Sequence, residues 1–162
     1  MKLPGAVFIV LLGLGVVAAA QQPQPTGTLN MALNVVHEAG VPPFHKTPTA
    51  KEVAELPPTL NPAQFSDPRV RAAYAMAAQI RAVLYQEPCY CGCDKEAIHH
   101  KSLFDCFAGL HASICQTCMM EGVYAYRQTK QGKTPAQIRA GIEHGAWRSI
   151  NLNDLLLGTQ VY

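Results

Sequence analysis

Residues 88–118 read PCYCGCDKEAIHHKSLFDCFAGLHASICQTC and contain all six cysteines of this 162-residue chain. Three of these cysteines lie at the start of the stretch, and the other three lie in a segment with the signals of a helix. Ser102 and Asp105 have the spacing of a capping box, which marks a helix N-terminus. We therefore predict a cysteine-rich loop followed by a helix over residues 102–131, interrupted or bent near Gly109.

One further helix is predicted on each side of this stretch. Asp67 can cap a helix whose first position is Pro68, and Pro88 disfavours helical geometry in the residue before it. Apolar residues recur between them at three- and four-residue steps, namely Val70, Ala73, Tyr74, Ala77, Ile80 and Leu84. Thr134 and Pro135 repeat the start signal, with a packing stripe of Ile138, Gly141, Ile142 and Gly145. With no runs of alternating polarity, the sequence predicts an all-α fold, a small helical bundle with a cysteine-rich loop.

The segment before the first helix is rich in proline. Nine of the twelve prolines lie between Gln21 and Pro68. Because proline lacks a backbone donor and biases the preceding residue away from helix, we predict an irregular leader with at most a helical turn near residues 49–56. His37 and His45 are interpreted as histidines of a solvated linker.

The first 20 residues have the order of a secretory signal peptide. Lys2 precedes an apolar run over residues 7–17, and three small residues, Ala18–Ala20, precede the polar Gln21. The apolar run is shorter than the ~20 residues that cross a bilayer, so no stable membrane span is expected after cleavage. We therefore expect an exported protein, periplasmic or extracellular.

The predicted organisation has four parts: signal peptide 1–20, proline-rich flexible leader 21–66, cysteine-rich helical domain 67–150 and C-terminal tail 151–162. The formal net charge is only +2. The chain therefore lacks the excess of basic residues that is typical of a nucleic-acid-binding protein. No paired carboxylates, Ser-His-Asp order or glycine-rich nucleotide loop is detectable. The sequence therefore indicates no particular enzymatic reaction.

The cysteines and histidines of residues 88–118 are candidate metal ligands. In an unbroken helix, His111, Cys115 and Cys118 would share an arc of about 60°, whereas Cys106 would join them only if the chain bends near Gly109. Soft metals bind several thiolates at about 2.3 Å and accept imidazole in place of one. The full set of candidates is Cys89, Cys91, Cys93, Cys106, Cys115, Cys118, His100 and His111.

The soft ligands and the expected export favour copper(I), followed by zinc. The candidates outnumber the four ligands of one tetrahedral ion, which suggests a two-metal site or a site that hands metal over. Met119 and Met120 could assist, although helical methionines more often pack in a core. The expected partner is the metal ion or, in a second hypothesis, a redox partner protein.

Two alternatives to metal binding remain open. In an exported small domain, six cysteines commonly form structural disulfides, and Cys115-x-x-Cys118 could instead cycle between dithiol and disulfide. Structural disulfides gain most when they close long loops, whereas these cysteines are crowded and accompanied by three of the six histidines. Redox chemistry is disfavoured because the predicted helix places Cys115 and Cys118 in its interior.

The hexapeptide PCYCGC at residues 88–93 resembles the signature of the PCYCGC-motif (CYCXC) family of exported bacterial proteins. The resemblance continues through His100, Cys106, His111 and Cys115-x-x-Cys118, over roughly residues 69–150. No activity is established for that family, but some of its members carry selenocysteine in the motif. The resemblance therefore implies reactive or metal-binding thiols rather than inert disulfides.

Overall fold

The computed structural model describes residues 34–95 and 98–157, and its regular structure is mainly helical. The predicted signal peptide, the first part of the leader and residues 158–162 lie outside the described residues. One antiparallel pair of two-residue strands, β1 and β2, precedes seven α-helices in this part of the chain. Their bounds are β1 Val35–Val36, β2 Phe44–His45, α1 Ala50–Glu55, α2 Pro68–Gln79, α3 Arg81–Leu84, α4 Leu103–Ala108, α5 His111–Ile114, α6 Gln116–Lys130 and α7 Pro135–Glu143. The predicted all-α fold is confirmed.

Three short 3₁₀ helices complete the regular structure of the described residues. They lie at Pro62–Gln64, Ala146–Ser149 and Leu152–Leu157. None of the helices in the described ranges combines the length and the apolar character needed to cross a bilayer.

The core lies between α2 and α6 and is rich in aromatic side chains. Its largest fully buried members include Tyr74, Tyr85, Tyr126, Phe104 and Phe107. The Tyr74 ring packs edge-on against Phe107 at 5.1 Å between centroids, and its hydroxyl donates a hydrogen bond to the Gly109 carbonyl. The three tyrosines and Trp147 all belong to the buried core cluster.

Two predicted helix starts are confirmed at the level of individual hydrogen bonds. The Asp67 carboxylate accepts from the Arg69 backbone N–H, and Pro68 is the first residue of α2. Thr134 and Gln137 form a reciprocal capping box at the start of α7. Local side-chain chemistry therefore determines where these two helices begin.

The helix predicted between Pro68 and Pro88 is interrupted. The backbone leaves helical geometry at Ile80, with φ −127° and ψ 30°, before the single turn of α3. Directly after the break, the Arg81 guanidinium donates to the carbonyls of Leu56 and Pro57. Tertiary contacts with the leader thus accompany an interruption that neither glycine nor proline marks in the sequence.

The helix predicted over residues 102–131 is divided into three helices, one break more than the sequence predicts. The expected interruption occurs near Gly109, between α4 and α5. A second break occurs at Cys115, which is extended at φ −115° and ψ 106° and caps the N-terminus of α6. His111 and Cys118 therefore lie on different helices, and the predicted common arc with Cys115 is wrong.

The second half of the leader contributes to the core. Phe44, His45, Leu56 and Thr59 are buried, and α1 is the helical turn predicted there. The expectation of a solvated His45 is wrong: its ring stacks on Tyr85 with 3.8 Å between centroids. His37 is exposed, as expected for a histidine of a solvated linker.

Candidate metal centre

The loop that carries the PCYCGC motif is closed by backbone hydrogen bonds. The N–H of Leu103 donates to the Glu87 carbonyl at 2.8 Å, and the N–H of His100 donates to the Cys93 carbonyl at 2.9 Å. Gly92 has a φ of +83°, which side chains rarely adopt. The loop therefore returns to its starting point and brings its three cysteines towards α4.

A buried acidic side chain attaches this loop to α6. The side chain of Glu121 accepts a hydrogen bond from the backbone N–H of Tyr90 at 2.9 Å. Glu121 is fully buried, and burial raises its pKa to about 8. The sequence analysis did not identify this role. The available signal was a charged residue one turn after Cys118, on a helix face that is also buried at Gly122 and Ala125.

Five cysteine sulfurs converge where the loop meets the helices. The Cys89 sulfur lies 3.4 Å from that of Cys91 and 3.5 Å from that of Cys118, and the Cys93 and Cys106 sulfurs are 3.5 Å apart. A disulfide bond would measure about 2.05 Å. The sulfur–sulfur edge of a tetrahedral site with bonds of about 2.3 Å is about 3.8 Å. The contacts are therefore close to those of ligands around a common ion, and all six cysteines are free.

Two imidazoles adjoin the sulfurs. His111 Nε2 lies 3.5 Å from the Cys91 sulfur, and His100 Nδ1 lies 3.3 Å from the Cys106 sulfur. The two rings are nearly perpendicular, with 5.2 Å between centroids. His99, the other histidine between loop and helix, is exposed and makes no such contact in the described chain.

The ligand atoms form two groups in which every atom lies within 4.8 Å of every other. The first group contains four thiols, and the second contains three thiols and one imidazole. Their members are Cys89, Cys91, Cys93 and Cys106, and Cys91, Cys106, His111 and Cys118. The cysteine and histidine side chains are thus positioned to bind a metal ion, and the bend near Gly109 does bring Cys106 to the cluster.

Two of the eight predicted ligands lie outside both groups. His100 contacts only one cluster sulfur, that of Cys106, among the described residues. Cys115 is partly exposed at the start of α6, and burial raises the pKa of its thiol. Met119 and Met120 are partly buried and pack against the hydrophobic core.

The thiols perturb one another because they lie in contact. Hydrogen bonds from neighbouring thiols, that of Cys106 first, lower the pKa of Cys91 below its usual range and lower that of Cys93 to about 3. The pKa of Cys118 is raised, with the Cys106 contact as the largest cause. Because the thiolate is the form that binds metal, thiol ionisation and metal binding in this cluster are coupled.

A second buried carboxyl lies two residues before the motif cysteines. Glu87 is fully buried, and neither of its carboxyl oxygens has a hydrogen-bond partner in the described part of the chain. Burial raises its pKa to about 9, although nearby Arg139 acts in the opposite direction. Sequence reasoning did not identify Glu87, since a single acidic residue before Pro88 has no distinctive pattern.

The fold and the site together define a small all-α protein with a buried cysteine–histidine cluster that can hold a metal ion. This chain belongs to the family described as proteins of unknown function with a PCYCGC motif, which matches residues 45–147. The match begins at β2 and so includes part of the leader. Comparison with curated proteins and with solved structures gives no match.

Proposed function

We propose that this protein is an exported metal-binding protein that holds copper(I) or zinc in its cysteine–histidine cluster for storage, handover or structural stabilisation. The observation that carries the proposal is the convergence of five thiol sulfurs and the His111 imidazole into two groups with separations below 4.8 Å. Export rests on the signal peptide predicted from the sequence. N-terminal sequencing of the secreted protein should begin at Gln21, and retention of the first 20 residues would contradict export by cleavage.

The contacts of the Cys89 sulfur favour metal binding over structural disulfides. Cys89 lies within 3.5 Å of both Cys91 and Cys118, but a sulfur can form only one disulfide bond. A metal centre can use all three of these sulfurs, either on one ion or on two ions that share ligands. The imidazole of His111 at 3.5 Å from Cys91 also has no role in a disulfide.

The donor atoms suit two kinds of thiophilic ion, copper(I) and zinc. Thiolates suit both copper(I) and zinc. The expected export favours copper(I), whereas a group of four cysteines and a group of three cysteines with one histidine are usual ligand sets of tetrahedral zinc. Competition titrations with each ion therefore test the same proposal and establish the identity of the ion.

The proposal is tested by metal titration of the reduced full-length chain and of its His111→Ala variant. Loss of an imidazole ligand should weaken metal binding by about tenfold or more. His144→Ala is the matched control, because His144 is exposed at the end of α7. Equal metal affinity in all three proteins would contradict the proposed ligand set.

The state of the thiols in natively purified protein provides a second test. Metal binding requires reduced cysteines, so we expect bound copper or zinc together with thiols that react once the metal is chelated. Substoichiometric metal with no free thiols would contradict the proposal and support structural disulfides.

One observation favours thiol–disulfide exchange as a second candidate function. The expectation that Cys115-x-x-Cys118 lies inside a helix is wrong, because Cys115 caps α6 and Cys118 lies in its first turn. A helix N-terminus stabilises a thiolate, although burial opposes this effect at Cys115.

The redox function predicts that Cys115 and Cys118 form a reversible disulfide in a glutathione buffer, with a partner disulfide as the electron acceptor. Cys115→Ser should abolish this disulfide while leaving metal uptake intact, because Cys115 lies outside both ligand groups. If the pair does not equilibrate with glutathione, the second candidate is contradicted.

A further inference from the structure

The two ligand groups are not independent, because they share two thiols. Cys91 and Cys106 belong to both groups, whereas Cys89 and Cys93 belong only to the first, and His111 and Cys118 only to the second. A tetrahedral ion takes four ligands. Six ligands with two in common therefore supply four donors to each of two ions.

We propose that the cluster is a two-metal centre in which the thiolates of Cys91 and Cys106 bridge two divalent thiophilic ions such as zinc. This inference rests on the proposed metal-binding function and specifies the number of ions and the role of each ligand. Cys89 and Cys93 complete the first ion, and His111 and Cys118 complete the second.

The positions of the ligands in the chain give the two ions different structural roles. Three ligands of the first ion come from the motif loop, and only Cys106 comes from a helix, α4. The second ion takes Cys91 from the loop and one ligand from each of α4, α5 and α6. The second ion therefore joins the loop to three helices.

Charge in a buried site favours two divalent ions over one. Cys89, Cys93, Cys106 and Cys118 are between 0% and 3% exposed, and uncompensated charge is costly in such surroundings. One divalent ion bound by four thiolates would leave about two negative charges, whereas two ions bound by five thiolates would leave about one. A single ion could use at most four of the thiols and would leave the remaining ligands without metal.

The number of ions is measured by native mass spectrometry of the reduced full-length chain after zinc loading. We expect two zinc ions per chain, and one after Cys93→Ser or His111→Ala, because each substitution removes a ligand of one ion only. Cys115→Ser is the matched control and should retain two ions, since that thiol lies outside both groups.

The bridging thiolates are tested by Cys91→Ser and by cadmium. Cys91 is only partly buried, and its replacement should weaken the binding of both ions. In protein loaded with ¹¹³Cd, the β-protons of Cys91 and Cys106 should each correlate with two cadmium signals. Those of Cys89 should correlate with one. The cadmium spectrum of unsubstituted protein does not depend on how well a variant folds.

Three results would overturn the inference, and they differ in what they imply for the proposed function. One tightly bound ion per chain would contradict the two-metal centre and leave the metal-binding function standing. No bound metal would contradict both. Two ions whose cadmium signals share no cysteine, or loss of only one ion in Cys91→Ser, would show two separate sites.

Discussion

Glu87 is a buried acid close to the thiol loop, and its carboxyl oxygens have no hydrogen-bond partner in the described residues. Burial raises its pKa from 4.5 to about 9. Between these pH values the folded chain binds a proton at Glu87 that the unfolded chain has released. The free energy of unfolding should therefore fall as pH rises through this window.

We predict that Glu87→Gln stabilises the reduced, metal-free protein at pH 8 but has little effect near pH 4.5. The amide matches the shape of the protonated acid and cannot ionise, so the gain at pH 8 should be about 1–3 kcal/mol. Denaturant unfolding at both pH values measures this difference. Glu38→Gln, at an exposed position, should change neither value, and an equal gain in both variants would contradict the explanation.

At the residue scale, the sequence identifies the thiols as candidate metal ligands, but it does not predict which of them lie together in one ligand group. The spacing of Cys89, Cys91 and Cys93 places three sulfurs in one short loop whatever the fold. The exclusion of Cys115 depends on a backbone break at that residue. The carboxylate of Glu121 reaches Tyr90 across 31 positions, and such distant contacts leave no local pattern.

The close approach of α6 to α4 depends on a residue without a side chain. A Cβ atom on Gly122 would lie 2.5 Å from Phe107 Cζ and 2.7 Å from Cε2. Phe107 is fully buried against Tyr74, so its ring has little freedom to move aside. The contact holds the helix that carries Cys118 against the helix that carries Cys106.

We predict that Gly122→Ala destabilises the fold by about 1–3 kcal/mol, because overpacking outweighs the better helix propensity of alanine. Denaturant unfolding of the reduced protein provides the measurement. Gly109→Ala is the matched control, since the nearest atom to its added Cβ is the Asp105 carbonyl oxygen at 3.8 Å. Equal stability in both variants would show that the α4–α6 contact can relax without cost.

At the element scale, helix starts with polar caps could be predicted and breaks without a local signal could not. Asp67 and Thr134 satisfy backbone donors within their own helices, so their neighbours in the sequence suffice. The breaks at Ile80 and Cys115 occur where neither glycine nor proline interrupts the sequence. Contacts with distant segments, such as that of Arg81 with Leu56, depend on the completed fold.

For the molecule as a whole, the metal centre would act as a cross-link. The proposed ligands come from the motif loop, α4, α5 and α6, which meet only in the folded chain. An ion that binds only the folded chain stabilises it in proportion to the logarithm of its concentration. Metal binding and folding are therefore expected to be coupled.

We predict that zinc raises the melting temperature of the reduced protein and that a chelator reverses the increase. At a free zinc concentration one hundred times the dissociation constant, the stabilisation should be about 2.7 kcal/mol. Scanning calorimetry measures it, and magnesium is the control because it prefers oxygen ligands. A melting temperature that zinc leaves unchanged would contradict the coupling.

The central claim, that the thiol cluster binds the metal, is tested most directly by X-ray absorption at the zinc edge. The zinc-loaded, reduced full-length chain should show a first shell dominated by sulfur at about 2.3 Å, with a minor nitrogen contribution at about 2.0 Å. A first shell made only of nitrogen and oxygen would contradict the claim.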